Sequence, residues 1–437
     1  MSIGLLTALL IISSLLIFLA GLPVGFSLGG IAILYSIILW GPTSLQLVAH
    51  SALGSMTSFM LVAIPLFILL GNVLERSGIA ESLYRTIYIW MGPLRGGLAI
   101  GTVMICTLMA AMVGVIGAGI VTMGIVALPS MLQRKYDKKL AMGAIMAGGS
   151  LGALIPPSVP MILYCCIGKL SVGQMFLAGI LPGLLLSFLY MLYIGIRCYI
   201  NPAMGPALPS DEHVSWREKF IALRDSLLPV LLVVLVLGSI FLGAATPTES
   251  SAMGALGAVI ISIIYRKFSW EMLTEACYRT LKLFSMVMWI LIGATCFSRF
   301  YMAMGAGDLI SGMITGSGIN PWLVIIGMQL SLMLLGMIME DYAIIMIAAP
   351  IYIPIIVALG FNSLWFGVLF IINIQIAVLS PPYGFALFYM KGVSPTTNMG
   401  TIWQAVLPFI PMAILGLILP MIFPEIIMWL PSLFFEM

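Results

Sequence analysis

Long apolar runs dominate this chain, and they restrict its possible folds more than any motif does. The predicted spans cover residues 3–21, 24–40, 54–74, 97–113, 118–133, 140–168, 175–199, 226–244, 249–265, 283–299, 321–338, 342–357, 364–391 and 399–423. A helix of about 20 apolar residues crosses the hydrocarbon core, so these spans provide roughly ten to twelve crossings. Only 8% of the 437 residues are charged, whereas soluble domains have about a quarter. We therefore predict an all-α polytopic membrane protein that faces the lipid bilayer.

The remaining sequence signals exclude several classes of function. The net charge is only +3, which argues against a nucleic-acid partner. The 6 cysteines form no CxxC pair, so we expect neither a disulfide framework nor a metal site built on them. No phosphate-binding loop, H-E-x-x-H motif or Ser/His/Asp constellation is visible, so we expect no enzyme and no organic cofactor. The run 3–20 lacks a preceding basic segment, which favours a retained helix over a cleaved signal peptide.

The basic residues predict how the chain is oriented. If residues 97–133 and 321–357 are re-entrant hairpins, all of the 18 Lys and Arg residues except Lys169 and Arg299 fall on one side of the membrane. Such a bias marks the cytoplasmic side. Ordinary crossings at both places would give the same distribution, so charge alone does not decide between hairpins and full spans.

The second half of the chain repeats the first. Residues 111–168 align without a gap on residues 336–393, and each stretch has a Pro-Pro pair at the same distance after a single proline. The polar segments 76–95 and 300–318 occupy corresponding places and are expected to lie along the membrane face. Each half then crosses the membrane an odd number of times, so the halves are inverted. Inverted repeats with broken helices are typical of secondary transporters.

The two Pro-Pro breaks are the predicted binding elements. They read GGSLGALIPPS at 148–158 and IAVLSPPYG at 376–384. A proline pair removes two N–H donors and disfavours helix before it, so carbonyls about one turn earlier lose their partners. In a membrane such carbonyls must be buried in protein or satisfied by a ligand. We predict that they bind a cation such as Na⁺ and that the following half-helix offers its N-terminus to an anion, with a purely structural kink as the alternative.

The predicted hairpin tips face these breaks and differ in charge. The first, VGVIGAG at 113–119, is rich in glycine, which permits tight turns and close backbone approach. The second, at 336–342, contains Glu340 and Asp341. Charges at membrane depth are usually functional, although a tip that faces a water-filled vestibule carries acids at little cost.

Two further charged residues have simple interpretations. Glu249 follows Thr246 and Pro247, so we expect it to complement the N-terminus of a helix. Arg299 either recognises a carboxylate or extends its guanidinium towards water. The second interpretation is the more ordinary one for an arginine near the end of a span.

These motifs resemble the large membrane subunit of tripartite ATP-independent periplasmic (TRAP) transporters. The resemblance rests on residues 148–158, on TPTE at 246–249 and on SPPYG at 380–384, and it extends over nearly the whole chain. It implies Na⁺-coupled import of a small organic acid through the bacterial inner membrane by an elevator mechanism. It also implies two partners, a small four-helix membrane subunit and a soluble periplasmic binding protein. A symporter of the same superfamily that needs no binding protein is the alternative.

The resemblance and the repeat together imply a domain division and a set of site residues. The scaffold comprises residues 1–96 and 226–320, and the transport domain comprises residues 97–168 and 321–393. Residues 169–225 contain the last helix of the first repeat and a linker. Residues 394–437 contain the last helix of the second repeat. One Na⁺ site is expected at Ala111, Val113, Gly114, Gly152, Ile155 and Pro157, and a second at Gly336, Ala377, Ser380 and Tyr383. The organic anion is expected between the tips, at Gly117, Ser158, Glu340, Asp341 and Tyr383.

Two positions depart from the family pattern. The first tip of the family usually reads Ser-Gly-Ser-Ser, whereas residues 113–116 here read VGVI. The hydroxyl ligands are therefore absent, and an ion there must rely on backbone carbonyls. The family usually has Asp where this chain has Glu340.

Overall fold

The computed structural model describes residues 3–207, 216–305 and 319–435, and most of these residues are helical. In chain order the helices are α1 Ile3–Leu19, α2 Val24–Trp40, α3 Leu45–Met56, α4 Ala63–Arg76, α5 Ile79–Met91, α6 Gly97–Val113, α7 Ile116–Gln133, α8 Lys138–Ser150, α9 Val159–Gly168, α10 Val172–Ile200, α11 Trp216–Phe241, α12 Pro247–Ile264, α13 Trp270–Ala303, α14 Pro321–Gly336, α15 Asp341–Ala358, α16 Ser363–Leu379, α17 Phe385–Val393, α18 Met399–Val406, α19 Ile410–Ile422 and α20 Glu425–Phe434. Within these described ranges, seven helical segments are long and apolar enough to cross a membrane. The prediction of an all-α polytopic chain is confirmed.

The predicted single span 54–74 is wrong, because two helices meet inside it. Ser58 has an extended backbone, and a 3₁₀ turn over Phe59–Val62 separates α3 from α4. The Thr57 hydroxyl donates to the Leu53 carbonyl over 2.9 Å. Ser and Thr side chains compete with the helix for backbone groups in this way, which favours a helix end at this place.

Three other boundaries differ from the hydropathy pattern. Residues 300–303 are the last turn of α13 rather than a separate segment, since they continue its apolar sequence, and 306–318 lie outside the described residues. The predicted final span 399–423 is divided between α18 and α19 by a turn that contains Pro408. Helix α20 follows Pro424 and was not among the predicted spans.

Each predicted hairpin is a pair of helices joined by a tight tip. Helix α6 ends at Gly114, whose φ of +66° is left-handed, and the extended residue Val115 leads directly into α7. Glycine adopts this conformation readily, which explains why the turn occurs there. In the second hairpin, residues 337–340 join α14 to α15, and the backbone of Glu340 is extended at the start of α15.

Both long apolar runs that contain a Pro-Pro pair are interrupted helices, as predicted. The first divides into α8 and α9, with a 3₁₀ turn at Leu151–Ala153 between them. The second divides into α16 and α17. The Pro156-Pro157 and Pro381-Pro382 peptide bonds are both cis.

The two interrupted helices lie at the centre of the molecule. From Leu140 to Ser150 every residue of α8 is buried, and so is every residue of α16 from Leu364 to Leu379. A helix that is apolar on all sides is covered either by neighbouring helices or by lipid, and neighbouring helices cover these two. Hairpin helices α6 and α7 pack on α8, α14 packs on α16, and α4, α12 and α13 pack together beside them.

The expectation for Glu249 is confirmed. The Thr246 hydroxyl accepts a hydrogen bond from the Glu249 N–H over 3.3 Å, and the Glu249 carboxylate accepts one from the Thr246 N–H over 2.8 Å. This reciprocal pair is a capping box at the N-terminus of α12.

Candidate functional site

The first hairpin tip packs directly on the first break through glycine. A Cβ at Gly114 would overlap the carbonyl oxygen of Pro157, and a Cβ at Gly152 would lie 2.7 Å from the Val115 carbonyl oxygen. The Gly114 carbonyl also accepts a hydrogen bond from the Val159 N–H over 3.4 Å. Backbone therefore meets backbone across this contact, and the side chains of the tip are excluded from it.

Most of the carbonyls predicted for the first Na⁺ site lack an N–H partner. Within the described residues, no hydrogen bond reaches the carbonyls of Ala111, Val113, Gly152, Ile155 or Pro157. Gly114 differs, since its carbonyl binds the Val159 N–H. Unpartnered buried carbonyls are rare in proteins, and those at an unwound helix are suited to a bound cation or water.

The second tip meets the second break in a comparable way. A Cβ at Gly336 would overlap the side chain of Ala377. In the described residues the Gly336 and Tyr383 carbonyls accept no hydrogen bond, whereas the Ala377 carbonyl accepts one from the Ser380 N–H and the Ser380 carbonyl one from the Gly384 N–H, both over 3.0 Å. A carbonyl oxygen has a second lone pair, so these two can still contact an ion.

Sequence reasoning missed one open carbonyl, that of Val378. The carbonyl four residues before a proline loses its helical N–H partner, and this count gives Gly152, Ala153, Ala377 and Val378. The Ala153 carbonyl accepts a hydrogen bond from the Ser158 hydroxyl. The equivalent position in the second repeat is Tyr383, which provides no such bond, and the Val378 carbonyl accepts none from the described residues. Counting back from each proline would have identified it.

The two tips enclose a small pocket between them. Its volume is about 50 Å³, and Gly117, Glu340, Asp341, Tyr342 and Tyr389 lie in its wall. That volume holds a few water molecules, whereas sites for small organic molecules are typically about 300–1,000 Å³. In this arrangement the tips are therefore closed on each other.

A larger cavity of about 250 Å³ adjoins the pocket between the tips. Both are lined by Gly117, Leu283 and Tyr389, and the larger one also by Glu75 and Arg279. This larger cavity therefore lies between the tips and the side of the molecule that carries Arg279.

The structure brings together only some of the predicted anion-site residues. Gly117, Glu340 and Asp341 line the pocket between the tips. Ser158 does not, since its buried hydroxyl caps α9 by accepting the Met161 N–H over 3.3 Å. The Tyr383 side chain is 60% exposed, and its ring stacks on Phe388 at 6.4 Å.

Tyr389 lies in the pocket wall and was not among the predicted site residues. A Cβ at Gly117 would lie 2.6 Å from the Tyr389 ring. Gly117 therefore lets α17 of the second repeat contact the first tip.

Polar contacts connect the hairpins to the neighbouring helices. The Thr122 hydroxyl of α7 donates to the Glu75 carboxylate of α4 over 2.7 Å. Two further contacts join α4 to α13: the Asn72 amide donates to the Thr280 hydroxyl over 2.9 Å, and Arg76 forms an ion pair with Glu275.

An all-helical membrane chain with an internal repeat, two hairpin tips and two unwound helices has the organisation of a secondary transporter. The chain matches the family model described as "Tripartite ATP-independent periplasmic transporter, DctM component" over residues 11–426. It therefore belongs to this family of TRAP transporter large membrane subunits. The family resemblance is confirmed.

Two relatives agree with this assignment. The chain is 32% identical over 398 residues to the C4-dicarboxylate TRAP transporter large permease protein DctM of Pseudomonas aeruginosa, which covers 91% of this chain and 92% of that protein. It is 30% identical over 416 residues to the sialic acid TRAP transporter large permease protein SiaM of Vibrio cholerae, with 95% and 96% covered. Both relatives are named as transporter permeases, which confirms the prediction that the chain is a transporter component and not an enzyme.

The Alcanivorax borkumensis YdaH transporter, described as having an unusual topology, is similar in fold. The TM-score is 0.67 at 17% sequence identity, and the match covers 94% of this chain and 99% of that one. At this identity the similarity concerns the fold alone.

Proposed function

We propose that this protein imports an organic acid together with Na⁺ across the inner membrane of a bacterium. The observation that carries the proposal is the pairing of each hairpin tip with a Pro-Pro break, which leaves carbonyls such as those of Gly152 and Val378 without N–H partners. Unwound helices in secondary transporters coordinate Na⁺ through such carbonyls. The relatives named for C4-dicarboxylates and sialic acid support a carboxylate as the substrate class.

The charges at the second tip provide a reason for coupling. Glu340 and Asp341 both line the pocket between the tips, and two carboxylates repel an organic anion at short range. A Na⁺ ion bound beside Gly336 neutralises part of this charge, so the acid binds well only after the ion. One Na⁺ that enters with a monovalent carboxylate moves no net charge, so the Na⁺ concentration gradient alone drives this uptake. Each further Na⁺ adds about 2.3 kcal/mol per 100 mV, which supports roughly a fiftyfold accumulation.

The elevator mechanism is part of the same proposal. The two tips and two breaks pack closely on one another at Gly114 and Gly336, which favours their movement as one transport domain. Helices α4 and α13 belong to the scaffold, and the Thr122–Glu75 hydrogen bond connects the two parts in this arrangement. We propose the divisions at residues 97–168 and 321–393 as the moving part.

We also propose the orientation and the partners. The side that carries Arg279 is cytoplasmic, which makes this arrangement inward-facing. The word "tripartite" in the family description supports two further components. These are a small four-helix membrane subunit and a soluble periplasmic binding protein that delivers the acid.

Uptake in proteoliposomes tests the proposed function. The complete transporter is reconstituted with both partners, and a panel of radiolabelled carboxylic acids is offered with an inward Na⁺ gradient. We expect uptake that disappears when K⁺ replaces Na⁺ on both sides. Unchanged uptake in K⁺ excludes Na⁺ coupling, and full uptake without the binding protein supports the alternative, a symporter that needs none.

A further inference from the structure

A second cavity lies on the other side of the hairpin tips from Arg279. Its volume is about 590 Å³, and its walls come from α3 and α13 on one side and from α9 and α15 on the other. It contains the two basic residues that the sequence separates from all others, together with hydroxyl groups from α3, from the residues just after α3 and from α13: Lys169, Arg299, Ser55, Ser58, Thr295 and Ser298. No acidic residue belongs to the described lining of this cavity. We call it the outer cavity.

Arg299 is held in place at the edge of the outer cavity. Its Nη2 atom lies against α3, where a Cβ at Gly54 would be only 3.2 Å away. The adjacent Ser55 shares a hydrogen bond of 2.9 Å with Thr295, one turn before Arg299 on α13. The part of α13 next to Arg299 is therefore joined to α3.

Neither cation of the outer cavity has an acidic partner among the described residues. Arg299 and Lys169 are both exposed, and within the described parts of the chain neither takes part in an ion pair. Lys169 ends α9, where the helix dipole favours a positive charge but does not neutralise it. A guanidinium without an acidic partner can bind a carboxylate through two parallel hydrogen bonds.

The outer cavity and the pocket between the tips follow the same two helices. On α13, Arg279 lines the cavity below the tips, Met286 lines the pocket between them, and Arg299 lines the outer cavity. At 1.5 Å per residue, Arg279 and Arg299 are about 30 Å apart, which is the thickness of the hydrocarbon core. On α15, Asp341 lines the pocket between the tips and Met346 already lines the outer cavity.

We propose that the outer cavity is an anion-capture site, in which Arg299 and Lys169 bind the carboxylate of the organic acid before it reaches the tips. Its volume suits a small organic molecule, whereas the pocket between the tips holds only a few waters in this arrangement. A low-dielectric cleft lined by one sign of charge also concentrates the opposite ion. The choice of a carboxylate as the ligand rests on the proposed function. The positive electrostatic potential of the cavity is independent of that function.

A thiol in the wall reports this field without any transport. Cys166 lines the outer cavity and is half-buried, whereas Cys277 is exposed elsewhere. In a Cys277→Ser background, Cys166 is modified by methanethiosulfonates that carry either a sulfonate or a trimethylammonium group. We expect the sulfonate reagent to react faster. Arg299→Gln and Lys169→Gln should each lower the ratio of the two rates about fivefold, as for one unit charge in a partly aqueous cavity.

Three matched variants complete the charge test. Arg299→Lys keeps the charge and should keep most of the ratio, whereas Lys139→Gln removes an exposed charge of α8 and should leave the ratio unchanged. Ser298→Cys provides a second thiol in the same wall. If neither Arg299→Gln nor Lys169→Gln lowers the ratio of the two rates, the proposal is overturned. A lack of reaction at both thiols also overturns it, because the cavity would then be closed to water.

Protection by defined acids tests the ligand class. Succinate or N-acetylneuraminate should slow modification of Cys166 more than chloride at equal ionic strength, and Arg299→Gln should abolish the difference. No protection beyond that of chloride by either acid overturns carboxylate capture. If the unmodified transporter takes up no acid with Na⁺, the proposed function fails, while the rate ratio still decides whether the cavity attracts anions.

Discussion

Gly114 lies so close to Pro157 that a Cβ on the glycine would overlap the proline carbonyl oxygen. One residue ends the first helix of a hairpin and the other ends a Pro-Pro break, so this contact joins the two elements that the repeat duplicates. The left-handed φ of +66° at Gly114 directs its own carbonyl to the Val159 N–H. Two separate constraints, conformation and space, therefore require glycine at this tip.

Gly114→Ala is expected to abolish most transport. An Ala side chain must both adopt the left-handed conformation, at roughly 1–2 kcal/mol, and displace the first break. We expect uptake to fall at least about tenfold and the melting temperature to fall by a few degrees, measured in proteoliposomes and in detergent. Gly327→Ala in α14 is the control, because nothing lies within 4 Å of its Cβ position. Equal behaviour of the two variants would show that the tip does not depend on this contact.

The first proline of each break offers a matched pair of substitutions. Pro156→Ala restores an N–H that can bond the open carbonyl of Gly152, whereas Pro381→Ala restores one facing the Ala377 carbonyl, which already accepts the Ser380 N–H. We therefore expect Pro156→Ala to raise the Na⁺ concentration for half-maximal uptake more than Pro381→Ala does. Pro182→Ala in α10 controls for removal of a helix proline. If all three variants keep the original Na⁺ dependence, the breaks are structural kinks.

Features that are visible as patterns in the sequence were predicted correctly, whereas contacts between residues far apart in the chain were not. The apolar runs, the alignment of the two halves and the duplicated prolines predicted the repeat, both hairpins and both interrupted helices, because these features can be read directly from the sequence. Helix α3 was missed, since His50, Ser51 and Ser55 lower the hydropathy of that segment. The outcome at Ser158 could not be foreseen either, since its bond to the Ala153 carbonyl depends on the folded geometry of the break.

The pocket between the tips shows the same limit. The acids Glu340 and Asp341 were recognisable as unusual charges within an apolar run. The contact of Tyr389 with Gly117 joins opposite halves of the chain, and no short-range pattern encodes it. Likewise, Lys169 and Arg299 were identified separately by the charge bias, and only the fold shows that they share a cavity.

Neutral isosteres distinguish the two acids of the second tip. If Glu340 helps to hold a cation, Glu340→Gln removes a charge-assisted contact of roughly 1.5–3 kcal/mol, and the Na⁺ concentration for half-maximal uptake should rise about tenfold or more. The measurement is the Na⁺ dependence of uptake at saturating acid. We expect Asp341→Asn to have the smaller effect, because Glu340 occupies the position of the family's Asp. Small and equal effects of both substitutions would mean that the carboxylates are solvated and that carbonyls alone bind the ion.

The hydrogen bond from Thr122 to Glu75 should stabilise the arrangement seen here relative to others. Hydrogen bonds to a charged group contribute about 1.5–3 kcal/mol, so losing this one should reduce the population of this state severalfold if the alternative is close in energy. Thr122→Val removes the donor while preserving shape, and Glu75→Gln weakens the acceptor. Spin labels are placed at the exposed positions Arg85 on α5 and Lys139 on α8. In each of the two variants, pulsed electron–electron double resonance should then show a second distance between the labels.

The control for this experiment is Thr274→Val, since the Thr274 hydroxyl bonds only the Trp270 carbonyl of its own helix over 2.7 Å. It should leave the distance distribution of the labels unchanged. The double variant of Thr122 and Glu75 should shift the distribution no further than the single variants do, because both remove the same interaction. If neither single variant changes the distribution, the bond does not restrain movement between α4 and α7. If their effects add fully, each residue acts through a different contact.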